Sequence, residues 1–317
     1  MYLYCSAPAL IMHRMLAARA DRPAVRGALD PRLVLSLVAV YLIWSSTYLA
    51  MKIAIVDLPP FLMASVRYAA AGLVMLLVAI RRGAAWPRLR DWLRVLPIGA
   101  LLFVGGNGFV ALAQGSVSSG GAAVVCSTMP LWVGVLGFVT GERPTSREWV
   151  SLVLGFAGIV VLMGGPSLAG EPHHIAFLVA APLCWALGSI LARRLSGPVG
   201  GDAFLLSAME MLTGGVALFA VAAVRGERFP LDASASAWAA LAYLIVFGSL
   251  IAFTAYSWLL RHARPVVATS YAYVNPILAV LLGALLFGEV LGITTLVANV
   301  IIIGAIWLAL HRPRARA

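Results

Sequence analysis

The chain has 317 residues, of which 62% are hydrophobic and only 11% are charged. A soluble globular protein is about 45–50% apolar and about 25% charged, so this composition excludes a water-soluble enzyme, a disordered chain and a fibrous protein. The formal net charge of +11 comes almost wholly from arginines in short clusters between apolar segments. Such clusters are typical of the cytoplasmic loops of membrane proteins, so we expect no nucleic-acid binding.

Apolar segments of about 20 residues, the length at which a helix crosses a bilayer, recur along the chain. We predict ten spans, which in chain order are 33–53, 60–80, 93–113, 119–140, 148–165, 175–192, 203–224, 236–260, 266–287 and 291–310. In residues 1–31 the apolar stretch precedes the arginines, which is the reverse of a secretory signal. We expect this piece to be a cytoplasmic tail.

The distribution of cations orients these spans. With the N-terminus in the cytoplasm, ten alternating spans place 19 Lys and Arg residues in cytoplasmic segments and 3 outside. A bias of this size over short loops predicts that both termini are cytoplasmic.

The first five spans resemble the last five in sequence. Residues 44–48 in span 1 match residues 185–189 in span 6 at an offset of 141. In span 2, Phe61, Arg67 and Gly72 match Phe204, Glu210 and Gly215 of span 7 at an offset of 143. In span 4, Met129-Pro130 and Gly141-Glu142 match Asn275-Pro276 and Gly288-Glu289 of span 9 at an offset of 146 to 147. Because five is odd, the halves have opposite orientations in the membrane. Secondary transporters are often built from such inverted repeats, with the substrate site near the midplane between them.

These motifs resemble the drug/metabolite transporter superfamily in its ten-helix form with two EamA domains. The resemblance is carried by residues 43–48, Arg67, Pro130 with Gly141-Glu142, and residues 268–276 with Gly288-Glu289. It implies an all-α membrane protein of ten transmembrane helices, arranged as two inverted five-helix repeats over 33–165 and 175–310. It also implies outward movement of small metabolites, often amino acids or amphiphilic drugs, across a bacterial-type cytoplasmic (inner) membrane.

The spans lack the residue pairs that catalysis within a membrane requires. Every histidine lies in a tail or at a membrane edge, and no span contains Asp. No Ser/His, His/Glu or Asp pair is therefore available at depth. The spacing of Cys5, Cys126 and Cys184 fits no metal or redox motif, and the GxxxxGK[ST] pattern of ATP-binding loops is absent. We expect no enzymatic activity, no metal and no cofactor.

Arg67 and Glu210 are the two ionisable residues deep within spans, where a charge costs about 2.5–3.5 kcal/mol on insertion scales. In the predicted orientation Arg67 lies toward the outside and Glu210 toward the inside. Arg67 could attract a substrate carboxylate or brace an outer gate, and Glu210 is the candidate carrier of a coupling proton. Alternatively, each is a structural residue anchored by helix ends or reaching the nearer interface.

Four further residues are candidates for gating. Pro130 and Pro276 lie in mid-span, where the missing N–H frees a carbonyl, so we expect spans 4 and 9 to be kinked and to line the site. The alternative is that the kinks serve packing only. Glu142 and Glu289 end spans 4 and 9 on opposite faces. They could act as symmetric latches or simply as solvated helix caps.

Aromatic and hydroxyl side chains predict a cavity suited to amphiphilic substrates. The candidate substrate-binding residues are Trp44, Ser45, Thr47, Tyr48, Asn107, Trp185, Ser189, Tyr256, Tyr271 and Asn275. Three pairs among them are spaced i, i+4 and share a helix face: Trp44 with Tyr48, Trp185 with Ser189, and Tyr271 with Asn275. Trp and Tyr also serve as interface anchors, but Trp44 and Trp185 lie well inside their spans. Spans 1, 3, 4, 6, 8 and 9 would line the path.

We expect a secondary-active transporter that works by alternating access, exports amino acids or related amphiphilic compounds, and resides in the lipid bilayer as a monomer or homodimer. Broad multidrug efflux is an alternative, although lipophilic cations would call for an acidic cavity and Glu210 is thin support for one. A non-transporting scaffold subunit is the alternative from a different class. It predicts no flux from the purified protein and co-purification with a partner.

Overall fold

The protein is described from a computed structural model. The described residues are 30–113, 125–141, 144–162, 172–195, 202–230, 232–278 and 293–310. Within these ranges the chain is almost entirely helical and contains no β-strand. The fold class predicted from the sequence is therefore confirmed as all-α.

The helices that the structure describes are numbered along the chain. In chain order they are α1 (Pro31–Ala54), α2 (Pro60–Arg81), α3 (Leu89–Ala113), α4 (Met129–Thr140), α5 (Ser146–Leu162), α6 (Pro172–Arg194), α7 (Ala203–Val224), α8 (Ala235–His262), α9 (Pro265–Ala268) and α10 (Ile293–Leu310). Residues 271–278 are also helical and follow α9 after a turn. Six of the described helices, α1 to α3 and α6 to α8, are long and apolar enough to cross a membrane.

Local sequence accounts for where these helices begin and end. Five helices have proline in the first turn, where its missing N–H costs no intrahelical hydrogen bond. Gly83, Gly141 and Gly226 follow α2, α4 and α7 with φ of 92°, 81° and 70°. This left-handed backbone suits glycine, which has no Cβ to clash, and it ends each helix sharply.

The structure places Pro130 directly after an interruption of the helix within the predicted span 4. Pro130 does not kink a continuous helix in mid-span, because it lies in the first turn of α4. The chain is helical at residues 125–126, turns at 127–128 and becomes helical again from Met129. The helix is therefore interrupted just before the proline, which occupies the first turn of α4, where its missing N–H costs no intrahelical hydrogen bond.

Helices α2 and α7 cross in close contact through matched glycines. A Cβ added to Gly72 would lie 2.9 Å from the backbone nitrogen of Leu212, and one added to Gly215 would lie 2.9 Å from that of Ala69. Ser65 also donates to the Gly215 carbonyl at 2.9 Å. Residue numbers fall along α7 as they rise along α2, so the two helices are antiparallel. Ala69 and Gly72 in α2 correspond to Leu212 and Gly215 in α7 at the offset of 143 that relates the two repeats. The two contacts are therefore related by a two-fold axis between the helices.

The ends of this helix pair carry the same symmetry. The Arg225 guanidinium at the end of α7 lies 5.3 Å from the centre of the Phe61 ring in α2. The Arg82 guanidinium at the end of α2 lies 5.4 Å from the centre of the Phe204 ring in α7. Both the two arginines and the two phenylalanines are 143 positions apart. An equivalent cation–π contact therefore closes each end of the pair.

Helices α3 and α8 depart from α-geometry at matched positions. A π-helical stretch spans Ala100–Gly108 in α3 and Leu244–Ile251 in α8. The first packs on α6 and α7, and the second on α1 and α2. Each stretch thus faces the opposite half of the chain. Such π-helical segments are rare and occur frequently at functional sites.

Helices α5 and α10 pack against each other, and the outward side of α10 is apolar. Ser151 donates to the Ala305 carbonyl at 2.7 Å, and a Cβ on Gly158 would lie 2.6 Å from the Ile302 side chain. Small residues allow this close approach. Exposed Val300 and Trp307 lie on the other side of α10, where a lipid-facing surface is expected.

We predict that Gly215→Ala lowers the thermal stability of the purified protein, because the added methyl group would meet the backbone of α2. Overpacking of this kind costs about 1–3 kcal/mol. The measurement is the midpoint of heat-induced aggregation in detergent, followed by size-exclusion chromatography. Gly304→Ala is the matched control, since a Cβ there meets nothing within 4 Å. Equal midpoints for the two variants would contradict the close α2–α7 contact.

Candidate functional site

Four aromatic side chains from four different helical segments meet at the centre of the protein. The Trp44 ring of α1 lies 5.8 Å from Trp185 of α6, 5.0 Å from Tyr256 of α8 and 4.6 Å from Tyr271 in residues 271–278. The contacts are tilted or edge-to-face, as aromatic quadrupoles favour. Trp44 and Trp185 lie near the middle of their helices, so this aromatic cluster lies about halfway along the helices that hold it.

The Tyr256 hydroxyl collects the hydrogen bonds of this aromatic cluster. It accepts from the Trp185 indole nitrogen at 3.2 Å, and it lies 2.7 Å from the Ser189 hydroxyl oxygen. Tyr256 is fully buried. The predicted i, i+4 pairing of Trp185 and Ser189 is thus realised, since both side chains reach the same phenol.

The π-helical stretches of α3 and α8 hold the two tryptophans. The Trp44 indole nitrogen donates to the Gly248 carbonyl at 3.1 Å, inside the stretch of α8. A Cβ on Gly106, inside the stretch of α3, would lie 2.6 Å from the Trp185 ring. Each tryptophan therefore packs on a glycine of the opposite half. A larger residue at Gly106 would meet the Trp185 ring, whereas one at Gly248 would meet the side chains of Arg67 and Thr47.

A second polar layer joins α1 to the segment that follows α9. Ser45 donates to the Asn275 side-chain oxygen at 3.0 Å. The Tyr41 hydroxyl lies 2.6 Å from the Ser270 hydroxyl oxygen. These bonds place hydroxyl and amide groups beside the aromatic rings, where substrate polar groups could exchange with them.

Arg67 approaches the cluster from α2. Its Nε donates to the Ser249 hydroxyl at 2.9 Å, and its guanidinium lies 4.7 Å from the centre of the Tyr68 ring. A Cβ on Gly248 would lie 2.7 Å from Arg67 Nη2, so the guanidinium lies against the residue whose carbonyl holds Trp44. Arg67 is only 5% exposed.

Glu210 lies on the other side of the cluster along α8. Its side chain is 1% exposed, and its Oε1 atom has no hydrogen-bond partner among the described residues. It interacts electrostatically with Tyr256 and with Arg261, which follows Tyr256 by five residues on α8. Buried oxygen atoms without partners are rare in proteins and call for a functional explanation.

A comparison with known families identifies the chain. The family model described as the EamA-like transporter family matches residues 32–164 and 174–311. The chain belongs to this family. The resemblance inferred from the sequence motifs is thereby confirmed, together with the arrangement of ten transmembrane helices in two inverted repeats.

Individual EamA relatives are similar over most of the chain. The inner membrane transporter YedA of Escherichia coli strain K12 is 40% identical over 279 residues, which cover 87% of this chain and 90% of the relative. Protein PecM of Dickeya dadantii strain 3937 is 28% identical, over 83% of this chain and 87% of its own. A solved crystal structure aligns with a TM-score of 0.72 at 21% identity, covering 88% of this chain and 96% of the other, which shows a shared fold.

The structure leaves some predicted residues of this EamA protein apart from the cluster. Thr47 is buried and bonds its hydroxyl to the Trp44 carbonyl at 2.7 Å. Asn107 donates within its own helix to the Leu102 carbonyl at 3.3 Å, and no described contact links it to the aromatic rings. Pro276 lies inside the helical residues 271–278, one position after Asn275. The Tyr48 side chain, Glu142 and Glu289 lie outside the described residues.

Sequence reasoning missed three residues that contact the side chains of this site. Ser249 binds Arg67, and Gly248 supplies the carbonyl to Trp44. Both lie in an apolar run whose π-helical geometry has no simple sequence signature. Arg261 counts in the sequence as a loop cation, yet it acts on Glu210. The length of the arginine side chain could have indicated this interaction, because arginine can reach back from a helix end along apolar surface.

We predict that Tyr256→Phe destabilises the protein, because the indole N–H of the half-buried Trp185 would lose its acceptor. Leaving a buried donor unpaired costs about 1–3 kcal/mol. The readouts are the midpoint of heat-induced aggregation and tryptophan emission in detergent. Tyr243→Phe is the control, since its hydroxyl pairs with Ser46 in a half-buried position outside the cluster. A Tyr256→Phe midpoint at or above that of the control would refute the assigned role.

Proposed function

We propose that this EamA protein is a secondary-active carrier of the cytoplasmic membrane that exports amino acids or related amphiphilic metabolites by alternating access. The observation that carries the proposal is the aromatic cluster of Trp44, Trp185, Tyr256 and Tyr271, with Arg67 and Glu210 on either side of it along α8. An apolar site flanked by one cation and one carboxylate suits a zwitterion with an apolar side chain.

The chemistry of each group supports this substrate class. A buried guanidinium is the preferred partner for a carboxylate, because it can offer parallel N–H donors. The aromatic rings provide apolar contact area and, on their faces, a favourable environment for a substrate ammonium group. Hydroxyls such as those of Ser189 and Tyr256 can exchange their mutual hydrogen bond for one with substrate.

The symmetry of the two repeats supports alternating access. The α2–α7 contact and the two π-helical stretches are each related by the same two-fold relation. Two repeats that can exchange their conformations give two states of similar energy, one open to each side. The arginine-rich loops support a cytoplasmic location for both termini, and the name of the relative YedA supports an inner-membrane location.

Multidrug efflux is the competing transport function. Glu210 and the aromatic cluster together would suit a lipophilic cation, because Glu210 supplies the negative charge and the rings supply cation–π contacts. Arg67 opposes this assignment, since a second cation beside the rings would repel the first.

The deciding experiment is efflux from proteoliposomes loaded with a mixed amino-acid pool and one lipophilic cation, with protein-free liposomes as the control. Selective loss of a few amino acids supports the metabolite exporter. Loss of the cation alone supports drug efflux. No protein-dependent flux from correctly folded protein would argue against both and favour the scaffold alternative.

Glu210→Gln should abolish flux driven by a pH gradient, because the amide cannot release a proton while keeping nearly the same shape. We expect the rate to fall to that of protein-free liposomes. Asp232→Asn is the control, because Asp232 is an exposed carboxylate in the loop before α8. Flux that still follows the gradient in the Glu210 variant would exclude it as the proton carrier.

Arg67→Gln should raise the KM for a transported amino acid and leave the KM for the same compound without its carboxylate unchanged. A charge-assisted hydrogen bond contributes about 1.5–3 kcal/mol, so an increase of about tenfold or more is expected. Uptake kinetics with both compounds in the same liposomes provide the measurement. An equal rise for both compounds would mean that Arg67 acts through Ser249 and the α8 backbone, with no substrate contact.

A further inference from the structure

An ion pair joins the two repeats at one face of the membrane, away from the aromatic cluster. Glu148 lies in the first turn of α5, in the first repeat, and Arg264 immediately precedes α9, in the second. Arg264 Nη2 lies 2.7 Å from Glu148 Oε2. The Glu148 side chain is only 5% exposed, whereas that of Arg264 is 42% exposed.

Thr145 holds the Glu148 carboxylate in place independently of Arg264. Its Oε2 accepts from the Thr145 backbone nitrogen at 2.8 Å and from the Thr145 hydroxyl at 3.0 Å, and the Glu148 nitrogen donates back to that hydroxyl at 3.3 Å. This reciprocal arrangement is a capping box, in which Gln can replace Glu. A partner so restrained loses little further entropy on forming the ion pair.

The ion pair lies beside a narrow cleft between the repeats. The residues that line the cleft are Val133, Gly137 and Thr140 from the first repeat and Ile190, Arg193, Arg194 and Pro265 from the second. Pro265 follows Arg264 directly, and Arg194 Nη2 donates to the Thr140 carbonyl across the cleft. The Val133 side chain at the cleft is 4% exposed, so the cleft is closed at this depth.

The opposite face has no equivalent ion pair available to it in the sequence. With the offset of 146 that relates spans 4 and 9, Glu148 matches Thr294 and Arg264 matches Ser118. Residues 114–128, which connect α3 to α4, contain no charged residue at all. The ion pair is therefore a departure from the two-fold symmetry that the α2–α7 contact obeys.

We propose that the Glu148–Arg264 ion pair is a latch that closes one mouth of the carrier and breaks whenever that mouth opens. This inference rests on the proposed transport function. The latch holds the start of α5 to the start of α9, so the cleft beside Val133 stays shut while it is intact. Its absence from the other face makes the two closed states unequal in energy.

Thiol accessibility tests the latch without any substrate. The reporter is Val133→Cys in a background in which Cys5, Cys126 and Cys184 are replaced by alanine. A membrane-impermeant thiol reagent is applied to the reporter protein in nanodiscs, and the labelling rate is measured. We expect Glu148→Gln, which keeps the capping box, and Arg264→Gln each to raise the rate about tenfold, within the range of pairwise coupling energies.

Two comparisons separate a latch from general damage to the fold. The double variant Glu148→Gln with Arg264→Gln should label no faster than either single variant, because both remove the same bond. Arg264→Lys, which keeps the charge, should label within about twofold of the reporter protein. Asp91→Asn is the matched control, since Asp91 pairs with Arg90 within one repeat, and it should leave the rate unchanged.

The same measurements can overturn the proposal. The latch would be refuted if both single glutamine variants were labelled at the rate of the reporter protein. It would also be refuted if the increase in labelling rate in the double variant equalled the product of the two single increases. Each single variant probes the bond from a different side, so misfolding of one leaves the other decisive. Faster labelling in a protein that carries out no flux would support the latch as a conformational contact and refute the transport function. Measurable flux with an unchanged labelling rate would support the transport function and refute the latch.

Discussion

The arrangement of the two repeats depends on the close crossing of α2 and α7. Lipid tails are as apolar as leucine, so helices in a bilayer gain little by burying apolar surface against each other. What holds them together is close packing, and Gly72 and Gly215 allow the two backbones to approach. Since the glycines are matched across the repeats, the same contact occurs twice about one axis. The cation–π contacts of Arg82 and Arg225 then fix both ends of the pair.

The candidate site follows from this placement because each repeat supplies half of it. Trp44 is held by the Gly248 carbonyl, and Trp185 packs on Gly106, so each tryptophan is positioned by a π-helical stretch of the other half. Within the bilayer every buried polar group needs a partner, and hydroxyls such as that of Ser189 find theirs inside the cluster. The Glu210 Oε1 atom has no hydrogen-bond partner among the described residues, which is why this side chain draws a functional interpretation.

Function in a symmetric scaffold must come from the side chains that break the symmetry. Arg67 and Glu210 occupy matched positions and carry opposite charges. The Trp44 indole donates to a backbone carbonyl, whereas the Trp185 indole donates to a tyrosine hydroxyl. These differences let an otherwise equivalent pair of repeats present a polarised site. Under the proposed function, Arg67 and Glu210 would orient a substrate with separated charges along α8.

Sequence alone determined the membrane environment, the number of spans, the family and the equivalence of the two halves, because each depends on composition and on residues at fixed spacing. The span at 203–224 coincides with α7, and the i, i+4 pair of Trp185 and Ser189 on α6 reaches one partner, Tyr256. Sequence spacing also suggested the aromatic residues of the site, yet it could not rank Asn107 below Tyr256, since both are polar residues within apolar helices.

Only the tertiary structure decided which groups meet across the repeats. The π-helical geometry around Gly248 and the reach of Arg261 to Glu210 depend on how distant parts of the chain pack together, and no local pattern encodes them. The ion pair of Glu148 with Arg264 is the clearest case, because its partners lie 116 positions apart and each, alone, reads as an ordinary residue of a helix end. Periodicity reports which face of a helix is apolar, whereas packing determines what that face touches.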